Sequence, residues 1–333
     1  MSHDNQLTMN TLILKKTVGQ PIIKPLLALL IMMVAMTFLS DNFATTDNFF
    51  NVMRQVSVNL CISVGMTLVI LTGGIDLSVG SVLALSGAVA AGLMKDGLVL
   101  EGMGVYVGFT FWGAILAALL VGGLLGAFNG WMITRFKLPP FVATLGMLTI
   151  ARGLTMLYTN GFPLTGLGKG FAYLGTGWLL GVPMPVWVAG LVVVFFAFYM
   201  KKTRTGRYMY AIGGNEKASL LSGINVNKVL LLVYTLAGVL AAVAGLLVTA
   251  RLDSAQPNAG SGYELDAIAA VVIGGTSMSG GKGSIAGTVV GALIIGVLNN
   301  GLVLLDVSPF WQQVIKGFVI IGAVVLDKYS SRK

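Results

Sequence analysis

Charged residues are scarce in this sequence. Asp, Glu, Lys and Arg make up only 10% of its 333 residues, whereas 56% are hydrophobic and the mean hydropathy is +0.88. A soluble protein of this size needs about a quarter of its residues charged to cover its surface. The shortage of charge therefore excludes a soluble protein and predicts one that is embedded in a lipid bilayer.

Cysteine and histidine each occur once, as Cys61 and His3. A single cysteine cannot form a disulfide within the chain, and Cys61 lies in an apolar segment. Metal centres and histidine-based catalysis need groups of ligands or partners that these two residues cannot supply. The sequence therefore predicts a chain with no metal site and no catalytic residue, which is not an enzyme.

A nucleotide-binding loop is missing from the sequence as well. Gly280–Gly283 has the sequence Gly-Gly-Lys-Gly, which is similar to the end of a Walker A motif. That motif requires Gly-x-x-x-x-Gly-Lys-Ser/Thr, but Thr276 stands at the position of its first glycine and Gly283 follows the lysine. No cofactor is therefore expected on this chain, and any ATP that drives its activity must be bound by another polypeptide.

Long apolar segments occupy most of the chain. A membrane-spanning helix needs about 20 apolar residues, and ten segments approach that length. They are residues 21–39, 56–72, 75–94, 105–133, 139–158, 183–200, 229–250, 265–280, 284–305 and 310–326. The eighth is short and rich in glycine. The sequence thus predicts an all-α polytopic membrane protein with about ten transmembrane helices, in which residues 21–327 form one membrane domain between tails at 1–20 and 328–333.

The positive charges indicate which side of the membrane each loop faces. Fifteen of the 21 Lys and Arg residues fall in segments that we assign to one side, and only Arg54, Lys95, Lys169 and Arg251 fall on the other. An excess of Lys and Arg marks cytoplasmic loops, so both termini are predicted to be cytoplasmic. The cations behind the net charge of +9 are distributed according to membrane side and are not clustered on an aromatic-rich surface. Nucleic acid is therefore not expected as a partner.

The longest polar run inside the apolar sequence is residues 201–228, KKTRTGRYMYAIGGNEKASLLSGINVNK. Its six cations are Lys201, Lys202, Arg204, Arg207, Lys217 and Lys228. Because the run lies between two segments of membrane length, it is predicted to be a cytoplasmic loop.

A short helix of about two turns is predicted within this loop. Gly213 and Gly214 would end an incoming helix, and Asn215 is a favourable N-cap. Glu216 follows in the first turn, where a carboxylate suits the helix dipole. These residues predict a helix that begins beside Glu216 and lies outside the membrane.

The second half of the same helix carries a small apolar face. Ala218 and Leu221 lie three residues apart and share that face, and Gly223 is placed to end the helix after Ser222. Taken alone, these residues also fit an ordinary solvated loop with one amphipathic turn.

The loop also resembles a known family. Glu216-x-Ala218 with the downstream Gly223 resembles the EAA-type loop of ABC importer permeases. Three longer stretches resemble the monosaccharide branch of that family, and in particular the permeases of high-affinity ribose importers. They are VGMTLVILTGGIDLSVGS at 64–81, AIGGNEKASLLSGINVN at 211–227 and ARLDSAQPNAGSGYELDAIAAVVIGGTSMSGGKGS at 250–284. The resemblance extends from about Phe43 to Asp327.

This resemblance implies an architecture and a function. The fold would be similar to that of the vitamin B12-type importer permeases, assembled as a homodimer in the bacterial inner membrane with the pathway at the interface. A cytoplasmic ATPase would bind ATP and Mg, and a periplasmic ribose-binding protein would deliver the sugar. Ribose would then cross the membrane by alternating access, with the helix at 213–223 as the coupling helix in a groove of the ATPase.

Other function classes remain open at this point. A secondary, ion-coupled sugar carrier would need an ion-binding site and would work without an ATPase, and a channel would show passive flux. Within the family, an importer for a related monosaccharide such as galactose is the alternative to ribose.

Two glycine-rich segments of the chain match each other. Gly73–Gly80 keeps the register of Gly274–Gly281 in its glycine pair, a serine and a later glycine, and Gly126–Gly130 is similar to Gly296–Gly301. Transporters are often built from such repeats, although a sequence with 45 glycines also allows a chance match. The shorter spacing in the second half predicts one missing crossing and halves that run in opposite directions.

The candidate pathway residues come from these motifs and from the second span. They are Gly73, Gly74, Asp76, Ser78, Gly274, Gly275 and Ser277 in the motifs, and Asn59, Ser63 and Thr67 on one face of the span. A polar stripe on a membrane helix usually faces the bundle interior. The three residues of the stripe therefore either line the pathway or form hydrogen bonds between helices.

Ionisable residues at membrane depth are costly, and Asp76, Arg152, Glu264, Asp266 and Lys316 are candidates. Glu264 and Asp266 are predicted to begin a span, and Lys316 to extend its amine to the interface. Asp76 is predicted to cap the helix that follows it rather than to contact a substrate, although both roles are open.

Most of the glycines are expected to serve helix packing. Small residues four apart let membrane helices approach closely. Gly122-x-x-x-Gly126 and Gly287-x-x-x-Gly291 have this spacing, so they predict two close helix crossings.

Overall fold

The computed structural model describes residues 22–100 and 105–330, and these residues form an almost entirely helical protein. The predicted tail at 1–20 and the last three residues of the predicted tail at 328–333 lie outside the described residues. The helices are α1 (Ile23–Leu39), α2 (Thr46–Leu71), α3 (Val79–Lys95), α4 (Phe111–Phe136), α5 (Pro140–Thr159), α6 (Lys169–Thr176), α7 (Met184–Lys202), α8 (Arg204–Gly214), α9 (Glu216–Leu221), α10 (Val226–Leu252), α11 (Tyr263–Ile273), α12 (Ile285–Leu304) and α13 (Pro309–Ser330). The predicted all-α class is confirmed.

Short antiparallel strand pairs close the loops on the predicted external side. They are β1 (Leu98–Leu100) with β2 (Val105–Val107), β3 (Leu164–Thr165) with β6 (Ser254–Ala255), and β4 (Trp178–Leu179) with β5 (Val182–Pro183). The pairing of β3 with β6 joins the loop after α5 to the segment after α10. This pairing therefore fixes the outer ends of two helices that are distant in sequence.

Each of the ten predicted spans contains one helix, but their lengths differ. Among the described residues, six helices are long and apolar enough to cross a membrane, namely α2, α4, α5, α7, α10 and α12. The helices α1 and α3 and the apolar part of α13 are shorter. α13 continues to Ser330, three residues into the predicted tail at 328–333. α2 begins at Thr46, ten residues before its predicted start, because the side chain of Thr45 caps it by accepting a hydrogen bond from the Asn48 N–H.

The prediction that residues 265–280, the eighth span, cross the membrane completely as one helix is wrong. α11 contains 11 residues, so it is about 16 Å long, roughly half of the 30 Å hydrocarbon core. The helix ends at Ile273 because Gly275 adopts a φ of +89°, which an α-helix cannot contain. Residues 274–284 are a non-helical loop that leads into α12.

α10 lies at the centre of the bundle and packs against α2, α3, α4 and α6. In the 18-residue apolar stretch of α2, 89% of the residues are buried inside the protein, compared with 22% in the corresponding stretches of α5 and α7. The core of the bundle is therefore built on α2 and α10, and α5 and α7 lie at its periphery.

Glycines allow α4 and α10 to approach within backbone contact. A Cβ added at Gly122 would overlap the Gly238 carbonyl oxygen, and one at Gly238 would overlap the carbonyl oxygen of Gly122. A Cβ at Gly126 would overlap the Tyr234 carbonyl oxygen one turn away. The predicted close crossing at Gly122 and Gly126 is confirmed.

The second glycine pair lies where α12 crosses the end of α11. A Cβ at Gly287 would overlap the Gly274 carbonyl oxygen, and a Cβ at Gly291 would overlap that of Ala270. This crossing is confirmed too, and it fixes the start of the loop 274–284 against α12.

We predict that Gly126→Ala destabilises the protein by about 1–3 kcal/mol, because its methyl group overpacks the α4–α10 crossing. Gly146 is also a helix glycine, but no atom lies within 4 Å of a Cβ placed there. Gly146→Ala should therefore not destabilise the protein and should stabilise it by up to about 1 kcal/mol, because alanine favours the helix. The thermal unfolding midpoints of the purified protein in detergent measure both effects, and equal midpoints would contradict the close crossing.

Candidate functional site

The predicted short helix is α9, and it begins as the sequence indicates. Asn215 separates α8 from α9 in an extended conformation with φ −162°, and its side chain accepts a hydrogen bond of 2.9 Å from the Ala218 N–H. Glu216 is in the first turn. The cap holds α9 at a fixed angle to α8, because Asn215 fits neither helix.

The end of α9 is a Schellman motif. The Gly223 N–H donates to the Leu220 carbonyl oxygen at 3.0 Å, and the Ile224 N–H donates to the Ser219 carbonyl oxygen at 3.1 Å. Gly223 has a φ of +82°, as this motif requires. The Ser222 hydroxyl donates to the Ala218 carbonyl oxygen at 2.9 Å, so both ends of this helix are well defined.

α9 presents an apolar surface away from the rest of the protein. Ser219 is its one buried residue, whereas Ala218 and Leu221 are exposed, the latter by 89%. Leu220, which the sequence interpretation did not single out, is 62% exposed. Ala218 and Leu221 share a small apolar face, and Leu220 adds a second exposed leucine beside Leu221, although α9 lies in a polar loop.

The helix α8 was missed by the sequence interpretation. Thr203 caps it by accepting a hydrogen bond of 3.0 Å from the Gly206 N–H, and the helix buries Met209 and Ile212. A Thr N-cap followed by two apolar residues three apart is a recognisable helix signal. It was obscured by the basic charge of the surrounding run.

Three glycine-containing segments that are far apart in sequence meet at the end of the bundle that is predicted to be cytoplasmic, which we call the inner end. They are Leu71–Gly74, Gly213–Gly214 and Gly280–Gly281, and we call their meeting point the glycine junction. The Gly281 N–H donates to the Leu71 carbonyl oxygen at 3.0 Å. A Cβ at Gly213 would overlap both of these atoms. The end of α8 therefore lies in direct backbone contact with the end of α2 and with the loop 274–284.

Side chains also hold the loop 274–284 in place. The Tyr210 hydroxyl on α8 donates to the Gly283 carbonyl oxygen at 3.0 Å. Burial raises the pKa of Tyr210, so this hydroxyl keeps its proton. On the other side, Asp327 of α13 accepts hydrogen bonds from the Met278 N–H at 3.1 Å and the Ser277 hydroxyl at 3.4 Å.

Both Gly-Gly motifs lie in breaks between helices. Gly73 has a φ of +81° in the break between α2 and α3, and Gly275 lies in the break between α11 and α12. A Cβ at Gly280 would contact the Gly73 N at 3.1 Å. The two motifs thus face each other at the glycine junction, with α2 and α11 both arriving from the same side.

The predicted opposite direction of the two halves is therefore wrong at the Gly-Gly motifs. The second half does lack one crossing, since α12 alone joins its motif to Asn299, whereas α3 and α4 join the first motif to Asn129. As a result, Asn129 lies near the first motif and Asn299 at the far end of α12.

Asp76 fixes the turn before α3. Its Oδ1 accepts hydrogen bonds from the Ser78 N–H at 2.9 Å and the Ser78 hydroxyl at 2.6 Å. Asn129 of α4 donates to the same hydroxyl at 3.0 Å. Asp76 and Ser78 are each 1% exposed. Asp76 therefore fixes the residue before the first turn of α3, whereas Ser78 is the N-cap and makes no side-chain hydrogen bond to the helix.

The polar stripe on α2 is buried but divides into different environments. The Thr67 hydroxyl forms a 2.6 Å hydrogen bond with the Thr288 hydroxyl of α12. Ser63 is fully buried one turn away. Asn59, at the outer end of the stripe, lines a cavity.

Lys316 makes a contact that the sequence did not predict. Its amine forms a salt bridge of 3.0 Å with Oδ2 of Asp266, which is 3% exposed. The same Oδ2 accepts a hydrogen bond of 3.2 Å from the Asn299 amide. The pair could not be predicted because Asp266 and Lys316 lie 50 residues apart and meet only through the packing of α11 against α13.

The guanidinium of Arg152 donates hydrogen bonds to backbone carbonyl groups of the protein. Its Nη1 donates to the carbonyl oxygens of Pro257 at 2.6 Å and Ala259 at 2.9 Å. Glu264 lies in the first turn of α11, as predicted. The loop between α10 and α11 is therefore held against α5 by Arg152.

Comparisons with known proteins agree with one another. Residues 48–324 match the family described as the permease component of branched-chain amino acid transport systems. The chain is 52% identical over 308 residues to the ribose import permease protein of Escherichia coli strain K12, covering 91% of this chain and 92% of that protein. No solved structure matches the chain.

Two further relatives are also similar to the chain along most of their length. The ribose import permease protein of Bacillus subtilis strain 168 is 51% identical over 311 residues, covering 92% of each chain. The D-allose transport system permease protein of Escherichia coli strain K12 is 41% identical over 292 residues, covering 88% of this chain and 86% of that protein.

We predict that Gly213→Ala opens the glycine junction, because the methyl group cannot fit between Leu71 and Gly281. Trypsin should then cleave the permease near Arg204 and Arg207 roughly tenfold faster, since a strain of about 1–3 kcal/mol shifts the local opening equilibrium by that order. Limited proteolysis of the purified protein measures this rate.

Gly214→Ala is the matched control for this experiment. Gly214 is the next residue in the same helix, but no atom lies within 4 Å of a Cβ placed there. Its cleavage rate should equal that of the wild type. Equal rates for both variants would show that α8 is not locked at the glycine junction.

Proposed function

The chain belongs to the family of ABC transport-system permease components that includes the ribose import permeases, and on that premise we propose that it translocates ribose in an ATP-driven importer. The observation that carries the proposal is identity near one half with two ribose import permeases over nine tenths of each chain. Relatives named for other sugars are less similar, at 41% for allose and 34% for xylose. Ribose is therefore favoured over other monosaccharides such as galactose.

In this proposal α9 is the coupling helix. Its exposed leucines, Leu220 and Leu221, form an apolar face in a loop that carries six cations, and such a face is costly in water unless a partner covers it. The partner is a cytoplasmic ATPase that binds ATP and Mg, with α9 in a groove on its surface. The Asn215 cap and the Gly223 turn make the helix stiff enough to transmit force.

The glycine junction carries that force into the membrane domain. α8 connects α9 to the ends of α2 and the loop 274–284 through backbone contacts at Gly213. A displacement of α9 therefore moves two breaks in the helix bundle together. We infer that this displacement supplies the alternating access that the translocation cycle needs.

The complete importer has further subunits in this proposal. A second copy of the permease forms a homodimer, and a periplasmic ribose-binding protein delivers the sugar to its outer face. The permease lies in the bacterial inner membrane with both termini cytoplasmic, which the distribution of Lys and Arg supports. Residues 21–327 act as one permease domain.

The proposal is tested by reconstituting the permease in liposomes with its ATPase and its ribose-binding protein. Uptake of labelled ribose should require ATP and all three components. Uptake of ribose without the ATPase would instead support a secondary carrier, and passive efflux would support a channel. Uptake of galactose, allose or leucine in place of ribose, each with its own binding protein, would reject the proposed substrate.

We predict that Ala218→Trp abolishes the stimulation of ATP hydrolysis by the ribose-loaded binding protein. Ala218 is exposed on α9, so the larger side chain should not disturb the fold but should hold the ATPase groove away from the helix. Glu216→Gln should have a mild effect, because the carboxylate contributes only about 0.3–1 kcal/mol through the helix dipole. Wild-type stimulation and wild-type ATPase association in Ala218→Trp would show that α9 is not the coupling element.

A further inference from the structure

A polar cavity of about 370 Å³ lies among α2, α10, α11, α12 and α13. Its volume falls in the lower part of the range of about 300–1,000 Å³ that is typical of small-molecule sites. The uncharged hydrogen-bonding groups in its wall belong to Asn51, Gln55, Asn59, Tyr263, Asn299 and Gln312. Five of these six side chains are amides, each of which can both donate and accept hydrogen bonds.

The charged groups of the wall are largely neutralised. Asp266 and Lys316 form the salt bridge described above, so they present no net charge to the cavity. Arg251 also lines the cavity, at the outer end of α10, and supplies additional hydrogen-bond donors. A cavity wall with five amides, one ion pair and one further cation suits a neutral polyhydroxylated molecule better than a cation.

One buried group in this wall has an unused acceptor. Asn299 is 5% exposed, and its Nδ2 donates to Asp266 Oδ2 at 3.2 Å, which fixes the orientation of the amide. Within residues 22–100 and 105–330, no group donates a hydrogen bond to the buried Asn299 Oδ1. An unpaired buried carbonyl is costly. Asn299 lines the cavity while its Oδ1 is covered, so a turn of this amide toward a ligand would bring the oxygen the donor that it lacks.

The neighbouring residue shows that this feature is specific to position 299. Asn300 is also 5% exposed, but it exchanges two hydrogen bonds with Asn48, at 2.7 and 3.0 Å. The amide of Asn300 is therefore satisfied within the protein, away from the cavity wall. Two adjacent buried asparagines on α12 thus differ in whether their side-chain oxygen has a hydrogen-bond partner.

We propose that this cavity binds a neutral monosaccharide during translocation, with the Asn299 oxygen accepting a hydrogen bond from a sugar hydroxyl. The inference rests on the proposed function, because the substrate class comes from it. Asp266 acts as a positioning residue that orients the Asn299 amide, and Lys316 compensates its charge.

The experiment measures sugar binding directly, by protection of a cysteine. Cys61 is the only cysteine of the chain and is fully buried, so Cys61→Ala provides a cysteine-free background. Val303→Cys places a reporter at the cavity edge, where Val303 is 59% exposed. Tyr106→Cys, on the β1–β2 hairpin, is the control reporter, at a position that is 64% exposed.

Alkylation of both reporters is timed in the permease–ATPase complex in nanodiscs, without the binding protein, at increasing concentrations of ribose. Ribose should slow alkylation at position 303 but not at position 106. Asn299→Leu should raise the half-protecting concentration of ribose about three- to tenfold, as expected for the loss of one hydrogen bond. Asn300→Leu should leave that concentration unchanged in the complex that assembles.

Each other outcome overturns the inference in a defined way. If ribose, xylose, allose and galactose all fail to protect position 303, the cavity is not a sugar site, whatever the uptake experiment shows. Protection by leucine or by ribose 5-phosphate alone would replace the neutral sugar with another substrate class. Equal shifts for Asn299→Leu and Asn300→Leu would assign Asn299 a structural role.

A second variant keeps the test decisive if Asn299→Leu does not assemble. Tyr263→Phe removes one hydroxyl from the cavity wall and keeps the ring. It should also raise the half-protecting concentration of ribose. An unchanged concentration in an assembled Tyr263→Phe complex would count against the cavity. If ribose still slows alkylation at position 303 but ribose uptake into liposomes is lost, the cavity remains assigned as a sugar site. Only the transport mechanism is then rejected.

Discussion

The backbone contact between Gly213, Leu71 and Gly281 is the constraint on which the inner half of the structure depends. Three chain segments approach so closely that a single methyl group at Gly213 would collide with two of them. Such an approach leaves no room for side chains to adjust, so a displacement of one segment must move the others. The loop outside the bundle and the helix breaks inside it therefore behave as one mechanical unit.

The salt bridge between Asp266 and Lys316 has a comparable role in the outer half. A charge inside a membrane protein is tolerated when a partner neutralises it, and here α11 and α13 each supply one charge. The pair also orients Asn299 on α12. Three helices are thereby connected at one polar point, although each of them is mainly apolar elsewhere.

The sequence predicted the local features well because local residues determine them. The N-cap at Asn215, the helix end at Gly223 and the close crossing at Gly126 all depend on residue types with specific backbone or steric properties. The failures concern contacts between distant segments. Gly213 and Gly281 carry no side chain that could indicate their contact, and nothing in the sequence near Lys316 points to Asp266. The span 265–280 was overestimated because hydropathy does not register the backbone conformation that Gly275 imposes.

Two helices connect the cavity directly with the inner end of the bundle. α2 contains both Asn59, which lines the cavity, and Leu71, which belongs to the glycine junction, and the two residues are about 18 Å apart along the helix axis. α13 contains both Lys316 and Asp327, which bonds to the loop 274–284, about 17 Å apart. Because a helix resists bending over such a distance, movement of its inner end displaces its outer end as well. A partner that moves α9 would thus reach the cavity walls through α2 and through the loop held by α13, with no need for a continuous chain of side-chain rearrangements between them.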